Sequence, residues 1–476
     1  MDSIKWDKEV DALVVGSGAG GMSAALTASV EGLDVLLVEK TGHIGGSTAI
    51  SGGALWIPLN AQTDAAGHPD SFDKVWTYLQ ETVGAAASDD MKRAYLQAGP
   101  RMMDDLVERG FLQVAARTAS PDYYPDRPGA ALGGRSLDPV EFDGRKLGRH
   151  FKTLRDPLKE FTVLGGMMVN ITDVRHLLRA TRAFTSWRHA MKLVLRYYTD
   201  RLRGYHRGTR LLLGNALAAQ LFHALLSRNI PYWLDTPALG LVRGDDGAVL
   251  GVTVMRQGRQ MSIRARRGVV LATGGFPWDS ARRQQAYPHP TGDWSMSPRD
   301  NTGDGIRMAE GAGAALGQGH CSPAFWAPVS ILEQPGRAPL HYPHLVWDRA
   351  KPGLIAVNGA GRRFVNESTS YHAFVEAMYR SHADTPTVPA YLLCDQRFID
   401  TWGLGLALPG GRPRQHLIDA GYLLQAPTLQ ALAQKLGVPA DALAATVQRY
   451  NQHAAEGHDP DSVSYTHLTL PTSDLV

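Results

Sequence analysis

Cysteine is scarce in this sequence of 476 residues, and Cys321 and Cys394 are its only two. They stand far apart and form no Cys-x-x-Cys pair, so the sequence predicts neither a disulfide framework nor an iron–sulfur cluster. A reducing compartment suits this usage, and we expect a cytoplasmic protein. His341 and His344 have no third ligand nearby in the sequence, so we predict no metal site.

Long apolar runs and an excess of one charge are also missing. No apolar run approaches the roughly 18 residues that a membrane span needs. The few polar residues before the first apolar run leave no room for a secretory signal. The 49 lysines and arginines nearly balance the 46 aspartates and glutamates, and the formal charge of +3 is too small to indicate nucleic acid as a partner.

A glycine-rich turn follows the first apolar run. Residues 10–15 are apolar apart from Asp11 and rich in β-branched valine, as in a parallel strand buried on both faces, and they lead into Gly16-x-Gly18-x-x-Gly21 and a helix of small residues. Glu39 ends the next apolar run, 18 residues after Gly21, close to the roughly 20 expected of the acid that binds a ribose hydroxyl pair. The pattern predicts a dinucleotide site with phosphates at the helix N-terminus.

A second glycine-rich loop, residues 40–53, comes directly after Glu39. A plain nicotinamide-binding domain has no need of it. The combination resembles the flavoprotein superfamily that includes the fumarate reductase and succinate dehydrogenase flavoprotein subunits and the 3-ketosteroid dehydrogenases. The resemblance implies FAD as the cofactor. Members that attach FAD covalently carry a histidine at about the place of Gly46, so the resemblance implies noncovalent FAD.

Three later segments resemble the same superfamily. Predicted strands at 261–265 and 268–272 end in Ala-Thr-Gly-Gly, residues 301–306 contain Thr-Gly-Asp-Gly at a helix start, and residues 353–367 read as strand, turn, strand. By resemblance the first two lie beside the cofactor and the third belongs to an inserted substrate domain. The predicted cofactor-binding residues are Gly16, Gly18, Ala19, Gly20, Gly21, Glu39, Lys40, Gly45, Gly46, Ser47, Thr48, Ser51, Gly52, Gly53, Ala272, Thr273, Gly274, Gly275 and Asp304. For Asp304 the alternative is an ordinary helix cap.

Two adjacent tyrosines, Tyr123 and Tyr124, lie in a proline-punctuated loop that exposes at least one phenol. The loop resembles the stretch from which the 3-ketosteroid dehydrogenases bring a tyrosine to the active site. We therefore predict Tyr124 as a catalytic phenol, with Tyr123 second and Tyr342 as a further candidate. The alternative for all three is aromatic packing within loops.

The fold class is α/β, with a Rossmann-like FAD-binding domain and an inserted α+β substrate, or capping, domain. We predict the FAD-binding domain at 1–276, the substrate domain at 277–461 and a non-native tail at 462–476. The superfamily continues after this point with a segment that completes the flavin site and supplies a late tyrosine and glycine. We expect that segment to be missing, which puts the activity of this chain in doubt.

A strongly basic stretch runs from Arg175 to Arg203, with apolar residues recurring at three- and four-residue spacing. We predict one amphipathic helix here. Its apolar face either packs on the core and leaves a solvated basic face, or the helix lies on an anionic membrane surface. The second alternative makes the chain a peripheral membrane protein that collects a lipophilic substrate.

The leading functional prediction, by resemblance, is an FAD-dependent oxidoreductase of the 3-ketosteroid 1-dehydrogenase type, which removes two hydrogens next to a ketone of an apolar ring substrate. One alternative is a fumarate-reductase-like enzyme acting on a small dicarboxylate, although the Arg-Gly-Glu-Gly-Gly-like segment of those subunits is missing. Another is a truncated flavin-binding chain without turnover. The electron acceptor, the exact substrate and the oligomeric state stay open.

Overall fold

The computed structural model describes residues 5–457 and 459–460. The chain divides into two compact units. Among the described residues, the first comprises 5–120, 131–279 and 297–320, and the second comprises 121–130, 280–296, 321–457 and 459–460. Their roles as cofactor and substrate domains stay predictions. The predicted tail at 462–476 lies outside the described residues.

Strands and helices are both distributed along the described chain. The strands are β1 (Lys8–Val15), β2 (Val35–Val38), β3 (Leu55–Trp56), β4 (Val114–Ala116), β5 (Ser136–Pro139), β6 (Phe142–Asp143), β7 (Thr162–Val163), β8 (Met167–Met168), β9 (Arg210–Leu211), β10 (Tyr232–Trp233), β11 (Ala238–Arg243), β12 (Val249–Arg256), β13 (Arg259–Leu271), β14 (Val329–Leu332), β15 (Leu340–Pro343), β16 (Leu354–Val357) and β17 (Tyr391–Cys394). The α-helices are α1 (Ala19–Val30), α2 (Ala61–Ala65), α3 (Phe72–Thr82), α4 (Asp89–Glu108), α5 (Ile171–Leu178), α6 (Phe184–Leu202), α7 (Leu213–Ser227), α8 (Ser280–Ala286), α9 (Asp304–Gly311), α10 (Val346–Arg349), α11 (Tyr371–His382), α12 (Gln396–Trp402), α13 (Gln415–Asp419), α14 (Leu429–Leu436) and α15 (Ala440–Ala455). Short 3-10 helices span Thr48–Ile50, Gly84–Ala86, Gly144–Thr153 and Lys159–Phe161.

A six-stranded sheet in the order β10-β2-β1-β13-β12-β11 organises the first unit. Strands β10, β2, β1 and β13 are parallel, and β13, β12 and β11 form an antiparallel meander. Val10, Leu13 and Val14 in β1 are fully buried, as expected of a strand covered on both faces. Helix α1 follows β1 directly and packs on α7, most of whose residues are buried. The predicted α/β class is confirmed.

The prediction of separate strands at 261–265 and 268–272 is wrong. They form one strand, β13, whose pairing with β1 shifts register between Val10 and Ala12. The one extra residue on β13 is accommodated as a bulge, so the local sequence break does not end the strand. The strand therefore runs from the meander to the edge where its Ala-Thr-Gly-Gly turn begins.

The second unit is built from small hairpins and helices. β14 pairs with β15 and β16 pairs with β17, both antiparallel. The predicted strand, turn, strand at 353–367 is correct only in its first half, because β16 is followed by a turn and a single bridge between Val357 and Arg363. Arg363 there forms ion pairs with Glu367 and Asp459, and these side-chain contacts hold the segment without a second ladder.

The single basic helix predicted at 175–203 is also wrong, because the segment forms two helices, α5 and α6. α5 ends at Leu178, and the chain turns over residues 179–183 before α6 begins. The predicted apolar face of α6 is largely exposed, and the helix packs on the unit through its opposite face, where Leu193 and Tyr197 are buried. Among the described residues no helix is both long enough and apolar enough to cross a bilayer.

Candidate functional site

The glycine turn between β1 and α1 combines two kinds of glycine. A Cβ at Gly16 would meet the Ala272 carbonyl oxygen at 2.3 Å, and one at Gly21 would meet the Gly16 oxygen at 2.0 Å. These two glycines let the turn, α1 and the end of β13 pack closely. A Cβ at Gly18 meets only Thr48 Oγ1 at 3.7 Å, and one at Gly20 meets nothing within 4 Å. Gly18 and Gly20 therefore leave backbone facing open space.

That space is a cavity of about 250 Å³ at the carboxyl ends of β1, β2 and β13. In an open parallel sheet a ligand binds outside these ends, and the N-terminus of a helix attracts phosphate. Gly18, the N-cap of α1, has no side chain to cap the helix, and Thr48 Oγ1 accepts from the first helical N–H, that of Ala19, at 3.0 Å. The lining residues are Val15, Gly16, Ser17, Gly18, Ala19, Gly20, Glu39, Lys40, Gly46, Ser47, Thr48, Arg155, Ala238, Ala272, Thr273, Gly274, Pro298, Asp300, Asn301, Asp304 and Met308.

Some predicted cofactor residues lie beside this cavity without lining it. A Cβ at Gly45 would meet Ala49 Cβ at 2.8 Å, and one at Gly53, where φ is +76°, would meet the Gly214 nitrogen at 2.5 Å. These two glycines allow the loop to pack against its neighbours. The predicted residues outside the cavity lining are Gly21, Gly45, Ser51, Gly52, Gly53 and Gly275. Direct cofactor contacts from them, like those of the lining residues, stay predictions.

Glu39 lies at the end of β2 and is buried, with both carboxylate oxygens already accepting hydrogen bonds. Oε2 accepts from Ser17 N at 3.0 Å and Ser17 Oγ at 2.6 Å. Oε1 accepts from Thr41 N at 2.9 Å and Thr41 Oγ1 at 3.1 Å. The carboxylate thus joins the glycine turn to the start of the second glycine-rich loop. It also lines the cavity, and its predicted contact with a ribose stays a prediction.

Lys40 and Asp304 close one side of the cavity by pairing with each other. Lys40 Nζ lies 2.8 Å from Asp304 Oδ2 and also donates to Thr302 Oγ1 and the Asp300 carbonyl. Asp304 is the first residue of α9, where Gly303 is the N-cap, and it also pairs with Arg307. Its carboxylate therefore orients Lys40 at the cavity, and it is not the capping side chain of α9.

Arg155 is a cavity residue that the sequence did not reveal. Its guanidinium donates to Asp300 Oδ2 at 2.9 Å and Thr41 Oγ1 at 3.3 Å, while its buried Nε has no hydrogen-bond partner among the described residues. A buried donor without a partner costs roughly 1–3 kcal/mol. A cationic side chain with a donor to spare, together with the glycine backbone of the α1 N-terminus, fits the phosphates and ribose of FAD.

Arg155→Gln is expected to weaken FAD binding about tenfold, because it removes a charged donor from the cavity. Arg299→Gln is the matched control, since Arg299 is exposed and stacks on Trp278 at 4.7 Å without lining the cavity. The dissociation constant is measured by titrating apoprotein with FAD and following flavin fluorescence. Equal affinity in the two variants would exclude Arg155 from cofactor binding.

Within the second unit, the predicted Tyr123 contacts a second tyrosine, Tyr371. Tyr123 OH hydrogen-bonds to Tyr371 OH, and the two rings meet edge to face with centroids 5.2 Å apart. Tyr371 is the first residue of α11, where the Ser370 side chain caps the helix by accepting from Ala373 N. A hydrogen bond between two phenols lowers the cost of ionising one of them, because the other O–H stabilises the phenolate.

Tyr124 docks on the same helix through a carboxylate. Its OH donates to Glu376 Oε2 at 3.3 Å, and Glu376 Oε1 lies 3.4 Å from His372 Nε2. His372 Nδ1 accepts from the backbone N–H of Trp326 at 3.1 Å. Burial, and then the Glu376 carboxylate, raise the pKa of Tyr124 to about 12. This environment favours the neutral phenol, so it suits Tyr124 as a hydrogen-bond donor that fixes the loop better than as a base.

The third predicted catalytic tyrosine, Tyr342, lies on β15 opposite Ser330. Its ring centroid is 5.3 Å from that of His344. His344 is held between Asp348 Oδ2 at 2.6 Å and Ser330 Oγ at 2.7 Å. The structure thus places Tyr342 in a hairpin beside a buried polar network, and its catalytic role stays a prediction.

Tyr371 was missed in the sequence because it is distant from the tyrosine loop in the chain. A signal was present: Tyr371 stands four residues after Glu367, at the start of a capped helix that follows the family-like Asn-Glu pattern. Arg155 carried no such signal, since no glycine or apolar pattern surrounds it. Both were found only through the tertiary contacts that bring separate segments of one unit together.

Comparison with known proteins gives consistent matches over almost the whole chain. The 3-oxosteroid 1-dehydrogenase of Mycobacterium tuberculosis is 37% identical over 466 residues, which cover 95% of this chain and 80% of the relative. The 4-oxocyclohex-2-ene-1-carboxylate 5-dehydrogenase of Sinomonas cyclohexanicum is 35% identical and covers 98% of this chain, with 80% of its own length matched. The names of both relatives describe dehydrogenases of a ring compound that bears a ketone.

Among solved structures, the 3-ketosteroid Δ1-dehydrogenase from Sterolibacterium denitrificans, in complex with 1,4-androstadiene-3,17-dione, superposes with a TM-score of 0.83 at 37% identity. The match covers 96% of this chain and 81% of that one. It confirms the predicted fold class of an FAD-binding domain with an inserted substrate domain. The family described as FAD binding domain matches residues 11–473. The chain therefore belongs to this family of FAD-dependent oxidoreductases, in which FAD is the cofactor.

Proposed function

We propose that this chain dehydrogenates a carbon–carbon bond next to the ketone of a 3-ketosteroid or a similar apolar ring substrate. The observation that carries the proposal is the hydrogen-bonded phenol pair, Tyr123 and Tyr371. Desaturation next to a ketone begins with loss of a proton from the α-carbon, for which a positioned phenolate is a suitable general base. The similarity to 3-oxosteroid 1-dehydrogenases supports the same reaction.

Bound FAD supplies the acceptor for the hydride that leaves the β-carbon. The chain's own residues handle the proton. Tyr371 takes the α-proton at its phenolate oxygen, and the O–H of Tyr123 stabilises that phenolate before the transfer. Tyr124 and Glu376 hold the tyrosine loop on α11, so that Tyr123 stays within hydrogen-bonding distance of Tyr371. This assignment prefers Tyr123 to Tyr124 as the phenol nearest the chemistry.

The substrate region of the second unit is rich in aromatic side chains, as an apolar ring requires. The Trp326 ring packs edge to face on Tyr287 at 5.0 Å and lies 6.0 Å from Tyr379. Burial raises the pKa of both tyrosines, which keeps them neutral. Phe325 beside this group is 84% exposed. A dicarboxylate substrate calls instead for arginine and histidine clamps on its charges, and the aromatic side chains favour the ring ketone.

The flavin-loaded protein tests this proposal when it is mixed with substrates without oxygen. A 4-ene 3-ketosteroid is expected to bleach the oxidised flavin absorbance and yield the 1,4-diene. 4-Oxocyclohexanecarboxylate serves as the matched ketone that lacks the apolar ring system. If this acid bleached the flavin and the steroid did not, the substrate would be a small ring ketone and not a steroid. If fumarate reoxidised the reduced flavin and neither ketone bleached the oxidised flavin, the fumarate-reductase alternative would be favoured over dehydrogenation.

Peripheral contact with a membrane is a second proposal for the segment 175–203. Steroid-like substrates partition into bilayers, so a chain at the bilayer surface meets them at higher concentration. This proposal is independent of the reaction, since it concerns the exposed side chains of α5 and α6.

A further inference from the structure

One face of α6 carries a row of large apolar side chains that the first unit leaves exposed. Leu202 is 90% exposed and Phe184 73%, whereas Leu193 and Tyr197 on the opposite face are buried in the unit. The members recur every three or four residues, so they lie along one side of the helix. This apolar stripe consists of Phe184, Trp187, Leu195, Tyr198 and Leu202, which are exposed, and Met191, which is half-buried.

Positive charge accompanies the apolar stripe. Arg188 and Lys192 follow Trp187 and Met191 by one residue each and are exposed, so they stand along one edge of the stripe. The further exposed basic residues of α5, α6 and their junctions are Arg175, Arg179, Arg182, Arg201 and Arg203.

The acidic residues of the same two helices do not offset this charge at the surface. Asp200 is buried and accepts from Thr209 N and Thr209 Oγ1, both at 2.8 Å. Asp173 is buried and pairs with Arg210 at 2.6 Å and His189 at 2.8 Å. The surface that α5 and α6 present to solvent is therefore apolar and cationic together.

The occupant of such a surface must accept large apolar side chains and supply negative charge. A second copy of this chain would bring the same cationic edge against the first, which disfavours pairing. An anionic bilayer meets both requirements, because acyl chains accept the apolar residues and lipid headgroups attract arginine and lysine. Trp187 and Tyr198 have the amphipathic rings that favour the level of the headgroups.

We propose that α6 docks on an anionic bilayer surface, with the apolar stripe immersed between the headgroups and the basic side chains of α5 and α6 against them. This goes beyond general peripheral contact because it assigns the helix, the immersed face and the lipid charge. The docking does not depend on the proposed reaction. Delivery of a steroid from the bilayer to the chain does rest on the proposed reaction.

Sedimentation of the flavin-loaded full chain with vesicles tests the docking without substrate. Binding to phosphatidylcholine vesicles that contain phosphatidylglycerol is expected, with much weaker binding to phosphatidylcholine alone and a decrease as salt rises. Leu195→Ser with Leu202→Ser is expected to lower the affinity at least tenfold, because two exposed leucines can no longer be immersed. The matched control is Leu316→Ser with Leu408→Ser, which changes two leucines that are exposed elsewhere.

A second pair of variants separates charge from apolar contact. Arg188→Gln with Lys192→Gln is expected to lower binding to the anionic vesicles by about tenfold, whereas Lys74→Gln with Arg101→Gln removes the same charge from other exposed positions and leaves binding unchanged. The proposal would be overturned if the chain bound vesicles of phosphatidylcholine alone as well as vesicles that contain phosphatidylglycerol, or if it bound neither kind. So would a native dimer in light scattering that the two stripe leucine changes dissociate, since a second copy would then cover the stripe.

Discussion

Tyr371→Phe is expected to reduce steroid turnover by at least about 100-fold while FAD stays bound, because it removes the oxygen that takes the α-proton. Tyr123→Phe is expected to have a smaller effect and a diagnostic one. Without the Tyr123 O–H the phenolate at Tyr371 loses a charge-assisted hydrogen bond, so kcat is expected to fall about tenfold while KM for the steroid stays unchanged. Both effects are measured by following steroid desaturation over a range of steroid concentrations.

Tyr379→Phe is the matched control for these variants. Tyr379 lies on the same helix, α11, and its OH donates to the Pro290 carbonyl at 3.1 Å instead of to a phenol. This variant is expected to keep turnover within a few-fold of the parent. A Tyr371→Phe protein that turns over at the parent rate would remove the phenol pair from the mechanism, and Tyr124→Phe would then be the variant to examine.

Two glycines of the same turn are expected to respond oppositely to alanine. Gly21→Ala places a methyl group 2.0 Å from the Gly16 oxygen, so the apoprotein should lose about 2 kcal/mol of unfolding free energy or more. Gly18→Ala meets nothing closer than 3.7 Å, and Gly18 has a φ of −68° that alanine adopts without strain. Its apoprotein stability should be unchanged, while FAD binds at least about tenfold more weakly because the methyl group occupies the approach to the backbone.

Urea unfolding of the two apoproteins and FAD titration of each separate these effects. The two variants are controls for each other, since they carry the same change three positions apart in one motif. Unaltered FAD affinity in the Gly18→Ala protein would mean that the cofactor does not approach the backbone at this glycine. An unaltered stability of the Gly21→Ala protein would contradict the close packing of α1 on the turn.

The sequence predicted those parts of the site whose residues follow one another directly in the chain. β1, the glycine turn and the start of α1 are consecutive, so buried-strand composition and glycine spacing identify them together. The continuous β13 was not predicted, because a bulge is decided by pairing with β1 and not by the residues at 266–267. The exposure of the apolar stripe was not predicted either, since periodicity shows that a helix has an apolar face without showing what covers it.

The phenols illustrate the same limit at residue level. The proline-rich loop identified Tyr123 and Tyr124 as candidates, but their order depends on which partner each one meets on α11. Tyr371 and Glu376 supply those partners from a segment about 250 residues later in the chain. Only the folded unit distinguishes a phenol paired with a phenol from one paired with a carboxylate.

The pairing of β1 with β13 has a consequence for how the protein is made. Val15 pairs with Leu271, and β1 has β13 on one side and β2 on the other. During synthesis, β1 and β2 leave the ribosome early, but the central position of the sheet beside β1 stays empty until β13 emerges. Contacts so distant in sequence form slowly and leave unpaired strand edges exposed meanwhile. We therefore expect the nascent chain to depend on chaperones until its first 271 residues have emerged.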